Sequence, residues 1–123
     1  MTPIEKIYQR AREAQKHIVL VEGQDPRVQQ AAQTLVAEGL AKITMIGAKD
    51  RLKGKLGNVS DHIEIIDPKV SKYSERFAEV LHKIRKHKGM DLKAAREDIL
   101  DPLTFANVLV RAGHADGTVA GAV

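Results

Sequence analysis

The sequence predicts an α/β domain: a mainly parallel sheet with helices on both faces, in three layers. Short apolar runs alternate along the chain with stripes of helical period, as strand-helix units joined by right-handed crossovers require. The runs are continuously apolar rather than alternating, the pattern of strands covered on both faces. The chain has 123 residues, 43% hydrophobic and 29% charged, which is enough for one core and too little for two.

The first helix carries its own start signal: Thr2 as N-cap, Pro3 at the first helical position and Glu5 completing a capping box. Ile4, Ile7, Tyr8, Ala11 and Ala14 mark one face of it. Residues 17–21 follow as the first strand, centred on Ile18, Val19, Leu20 and Val21. Asp25 and Pro26 open a second helix whose Val28, Ala31, Ala32, Leu35 and Val36 repeat with helical spacing until Gly39 caps it. Residues 42–46 form the second strand, 47–57 a short helical or irregular connection, and 62–66 the third strand, closed by Asp67-Pro68.

From Val70 the period is helical again, with Tyr73, Phe77, Val80, Leu81 and Ile84 on one stripe and Lys72, Glu75, Arg76, Glu79 and Lys83 facing away. Gly89 ends this helix, and a brief one follows Asp91. The helix after Asp101-Pro102 is apolar nearly all round at Leu103, Phe105, Ala106, Val108, Leu109 and Val110, so burial is expected. Gly113 ends it, and residues 117–121 make the fourth strand. A parallel strand normally feeds a loop and a covering helix, with ligands bound beyond the strands' carboxyl ends. The chain stops there, so residues 1–123 are expected to be one partial α/β domain, the N-terminal part of a longer protein, with a small complete domain as the alternative.

Composition narrows the function. With no cysteine there is no disulfide framework, thiolate metal site or thiol nucleophile, and a reducing compartment, the cytoplasm, is expected. No run approaches a membrane span and no signal peptide opens the chain. The net charge of +4 favours anionic ligands, but two Phe, two Tyr and no Trp leave little on which to stack bases, so nucleic acid is not the expected partner. Neither G-x-G-x-x-G nor G-x-x-x-x-G-K-S/T occurs. The five histidines lack metal-ligand spacing, so no metal site is expected, and no serine stands in a G-x-S-x-G setting.

Two features remain. The turn Glu22-Gly23-Gln24-Asp25-Pro26-Arg27 sits where a strand meets a helix, and Glu22 and Arg27 are candidates to line a cleft there. The basic run Lys83-Ile84-Arg85-Lys86-His87-Lys88-Gly89 reads either as a solvated helix end or as a phosphate site. In the second reading Arg85 flanks the buried stripe, is held by packing and forks two hydrogen bonds to a phosphate, as Lys83 on the outer face does not. Small residues around the last strand, Gly117 and Gly121 among them, allow close approach by a ligand or another backbone.

Three stretches together resemble the phosphate acetyl/butyryl transferase family: Ile18 to Gly23 with Arg27, then Arg85-Lys86-His87-Lys88-Gly89, then Ala115-Asp116-Gly117-Thr118-Val119-Ala120-Gly121-Ala122. The spacing of the last two is the specific part. The resemblance implies the first domain of a two-domain enzyme that transfers an acetyl group, or a relative such as butyryl, between coenzyme A and phosphate. It implies coenzyme A as substrate, acetyl phosphate and phosphate as the other reactants, no cofactor or metal, and a homo-oligomeric full-length protein. Arg85 matches the motif arginine associated with a coenzyme A phosphate; Lys86, Asp116, Gly117 and Gly121 are weaker candidates for the cleft wall. Val21 and Thr118 depart mildly from the family pattern. The catalytic residues are expected outside this sequence, so none is assigned here and the isolated chain is expected to be inactive. A non-catalytic anion- or nucleotide-binding domain using residues 83–96 is the alternative from another class.

Overall fold

A computed structural model describes residues 2–120, with the backbone alone at 58–60. The elements run α1 (Pro3–Ala14), β1 (His17–Leu20), α2 (Pro26–Ala37), β2 (Lys42–Ile46), α3 (Lys49–Leu52), β3 (Ile63–Ile66), α4 (Ser74–Arg85), α5 (Leu92–Asp98), α6 (Pro102–Arg111) and β4 (Gly117–Val119). The strands form one four-stranded sheet in the order β3-β2-β1-β4, and every pair is parallel.

Successive strand residues point to opposite faces, so the continuous apolar runs serve two cores. Val19, Ile46 and Ile66 meet Phe77, Leu81, Phe105 and Leu109 of α4 and α6 on one face. Leu20, Ile43, Met45 and Ile63 meet Val28 and Ala32 of α2 and Leu52 of α3 on the other. The three-layer α/β reading therefore holds. Phe77 and Phe105, both fully buried, tilt against each other at 59° with 5.2 Å between ring centroids.

Several boundaries move. β1 ends at Leu20; Val21 is buried beyond the ladder and donates its N–H to the Val119 carbonyl at 3.3 Å. His62 belongs to the 3₁₀ segment Gly57–His62, and β4 ends at Val119. The fourth helix begins at Ser74, not Val70, because side chains on either side of Pro68 hold turns that compete with a helix. Asp67 Oδ1 accepts from the Lys69 N–H, Ser71 Oγ from the Tyr73 N–H, and the Ser74 hydroxyl donates to the Pro68 carbonyl. Val70 is left 81% exposed.

Burial departs from expectation in two helices. α6 buries Phe105, Ala106, Val108 and Leu109, but Leu103 stays 44% exposed, so its apolar surface is not fully used. α1 has the predicted capping box, yet none of its residues is buried.

Candidate functional site

In the order β3-β2-β1-β4 the chain leaves β1 toward one edge of the sheet and returns on its other side, so β1 and β4 flank the topological switch point. Ligands of open parallel sheets bind outside the carboxyl ends of strands at such a point. The turn after β1 is built there. Gly23 has no alternative: a Cβ would stand 2.7 Å from the Ile46 carbonyl oxygen and 2.9 Å from Leu52 Cδ1. The buried amide of Gln29 donates to the Gly23 carbonyl at 2.8 Å and ties the turn to α2.

Asp25 is both N-cap and anchor. Its Oδ1 accepts from the Arg27 N–H at 2.8 Å, while Oδ2 accepts from Arg27 Nη2 at 2.9 Å. The Arg27 hydrogen bonds hold the Asp25 carboxyl below its ordinary range, and the same pair raises the Arg27 pKa. Arg27, 70% exposed in its side chain, thus stands at the rim of a crevice of about 270 Å³ lined also by Leu20, Glu22, Val28, Ala31 and Val119. The sequence-predicted pair Glu22 and Arg27 does line a cleft.

The basic run lies elsewhere. α4 continues into the 3₁₀ turn Lys86–Lys88, closed by Gly89 at φ 87°, a left-handed cap that glycine adopts without Cβ strain. Arg85 lines a groove of about 490 Å³ between α4 and α6, with Leu81 and Ile84 on its own helix and Leu103, Thr104, Asn107 and Arg111 opposite. The expectation that packing holds Arg85 needs correction: its side chain is exposed, and its guanidinium has no hydrogen bond or ion pair within the described residues. The last turn of a helix has few neighbours, so the helix directs the side chain but leaves its head free.

Lys86 goes to a different place. One residue is about 100° around a helix, and Lys86 lines a second groove with Arg76, Glu79, Val80, His82 and Lys83. Arg85 and Lys86, adjacent in sequence, are therefore not brought together. Asp116 sits at the start of β4, where its Oδ2 accepts the His17 N–H at 2.7 Å, the opposite end of the strand from the switch-point crevice. Gly117 has room for a Cβ, whose nearest neighbour is Ile18 Cδ1 at 3.9 Å. Gly121 and Ala122 lie outside the described residues.

Arg111, which lines the same groove, was not singled out in the sequence. Its signal was faint: Thr104 and Arg111 are seven residues apart, hence on one face of α6, but nothing local says that this face meets the end of α4. Within the described residues no group of three or more His, Cys, Asp or Glu is arranged to hold a metal ion, and no helix is long and apolar enough to cross a membrane.

Comparison with known proteins adds a family. The family model described as phosphate acetyl/butaryl transferase matches residues 3–123. A phosphate acetyltransferase of Acetivibrio thermocellus is 41% identical over 124 residues, covering 100% of this chain and 37% of the relative. That of Clostridium acetobutylicum is 36% identical over 126 residues, covering 100% of this chain and 38% of the relative. In three dimensions the chain is similar to a phosphotransacetylase from Streptococcus pyogenes, with a TM-score of 0.86, 29% identity, and coverage of 99% of this chain and 39% of that one. The EutD phosphotransacetylase from Staphylococcus aureus gives a TM-score of 0.85 at 28% identity, covering 100% of this chain and 39% of that one. The chain thus spans well under half the length of the relatives it matches.

Proposed function

The chain belongs to the phosphate acetyl/butaryl transferase family, and from that premise we propose that the protein carrying it exchanges an acetyl group between coenzyme A and phosphate. In this reading residues 1–123 contribute to the first of two domains, and the substrates meet in the cleft between them. A base takes the thiol proton of coenzyme A, the thiolate attacks the acetyl carbon of acetyl phosphate, the carbon–oxygen bond breaks, and phosphate leaves with the bonding pair. Cationic and hydroxyl donors aimed at the developing charge lower the barrier. The base and those donors belong to sequence beyond this chain. The reading carries with it a homo-oligomeric cytoplasmic enzyme without resident cofactor or metal, and butyryl or another short acyl group is the alternative substrate.

The observation that supports it best is Arg85. It stands in the family's R-K-H-K-G motif, and its unpaired guanidinium lines a groove with no carboxylate among the lining residues. In this proposal Arg85 binds a coenzyme A phosphate, Asp116 and Gly117 stand at the start of the strand that leads to the cleft, Gly121 is a candidate for the cleft wall by its place in the motif alone, and Lys86 plays a lesser electrostatic part.

The test is steady-state kinetics in the full enzyme. Arg85→Ala is expected to raise the KM for coenzyme A more than that for acetyl phosphate. A lost charge-assisted contact lowers the specificity constant roughly ten- to a hundredfold. Lys83→Ala is the control and changes little. Equal effects of the two substitutions would return the basic run to a solvated helix end. The isolated chain is expected to show no appreciable turnover, since groups outside it cannot bind the transition state.

A further inference from the structure

We propose that Arg111 is a second coenzyme-binding residue, paired with Arg85 across the α4–α6 groove so that one polyanionic nucleotide end is held by two guanidinia from two helices. This rests on the coenzyme A reading above and extends it to a residue outside the motif.

The groove holds about 490 Å³ and combines two kinds of wall. Leu81, Ile84, Leu103, Val108 and Val110 supply an apolar floor, while Arg85 and Arg111 supply the charge. Neither guanidinium has a protein partner within the described residues, in contrast to Arg27 on Asp25 and Arg96 on Glu75. The carboxylate nearest in sequence to this stretch of α6, Asp101, is committed to the helix start: Oδ2 accepts both the N–H and the hydroxyl of Thr104 at 3.0 Å. Asn107 Oδ1 accepts from the Thr118 hydroxyl at 3.2 Å, which fixes the amide beside the groove.

Two unneutralised cations in one groove repel each other unless an anion joins them. A forked guanidinium matches phosphate geometry better than an ammonium, and an apolar floor beside it suits a planar base. The adenosine 3′,5′-bisphosphate end of coenzyme A has both parts: phosphates at two positions for two arginines, and adenine for the floor. The neighbouring groove lined by Lys86 contains Glu79 and offers no such unopposed pair.

The test is isothermal titration calorimetry of adenosine 3′,5′-bisphosphate into the full-length protein, repeated with Arg111→Ala, Arg111→Lys, Arg85→Ala and Arg76→Ala. Circular dichroism melts confirm that each variant is folded. Arg111→Ala is expected to weaken binding roughly tenfold or more, Arg111→Lys to restore part of it, and Arg76→Ala to change nothing. The affinity should fall with added salt, and adenosine without phosphates should bind far more weakly. If Arg85→Ala weakens binding and Arg111→Ala does not, the pairing is overturned while the coenzyme A reading of Arg85 stands. If neither substitution changes the affinity, both assignments fall. A full-length protein with no saturable binding of the bisphosphate overturns the inference.

Discussion

Helices α1 and α2 start alike and end up differently. Both have 12 residues, a capped N-terminus and proline in the first turn. α2 buries Val28, Gln29 and Ala32 against the sheet. α1 leaves Ile4 and Ile7 at 63% and 60% exposure and is fastened to the rest chiefly by Arg12 donating to the Glu38 carbonyl and Gln15 to the Gly39 carbonyl. A cap fixes where a helix begins whatever lies beside it, whereas burial needs a neighbouring surface, and an amphipathic stripe records only a capacity for burial.

The largest effect expected from this contrast is a charge placed on each stripe. Ala32→Asp buries an uncompensated carboxylate among Met45, Ile43 and Leu20 and should cost about 3–5 kcal/mol, whereas Ile7→Asp on the exposed face should stay within about 0.5 kcal/mol. Urea denaturation measures both. A large loss from Ile7→Asp would mean that the α1 stripe is covered in solution.

A smaller effect is expected at the caps. Asp25→Ala removes the acceptor of the Arg27 N–H and should lower global stability by about 1 kcal/mol, because α2 unfolds only with the core. Thr2→Ala removes an equivalent bond, but α1 frays locally, so the loss should appear in hydrogen exchange of residues 3–8 and hardly in the global transition. Equal global losses would show that α1 is as strongly coupled as α2.

The smallest effect is with pH. The Asp25 carboxyl is held low by hydrogen bonds from Arg27, so its folded pKa lies below its unfolded one. Its stabilisation is then present above the unfolded value and lost as pH falls through the folded value, in the strongly acid range. Glu75, held low by Arg96, has the same sign. Asp25→Asn should flatten the acid limb of the stability curve slightly, and a steeper limb would contradict the assignment. The Arg27 side chain is largely open to solvent, which screens its pairing with the buried Asp25 and keeps the amplitude small.

The site was legible in part, and the division follows the same line. Arg85 could be singled out as a candidate because five consecutive residues carry its motif, and Asp25 as a cap because a cap acts on amides two or three residues away. Arg111 was not found, since its relation to Arg85 depends on α4 and α6 lying side by side. Lys86 and Arg85, neighbours in the motif, line different grooves because adjacency in a chain is not adjacency on a helix. The helix start at Ser74 was misplaced because hydroxyl and carboxylate bonds on either side of Pro68 outcompete helical hydrogen bonds there.

The sequence by itself determined most elements and the caps at Thr2, Asp25, Asp91 and Asp101, since each is set by residues within a turn or two of one another, and its continuous apolar runs marked strands covered on both faces. Only the tertiary structure decided the strand order β3-β2-β1-β4, the glycine required at position 23 by the Ile46 carbonyl, the bare face of α1 and the groove that Arg85 and Arg111 both line. Those depend on which surfaces meet across long stretches of chain, and packing selects that pairing from many that local propensity leaves open.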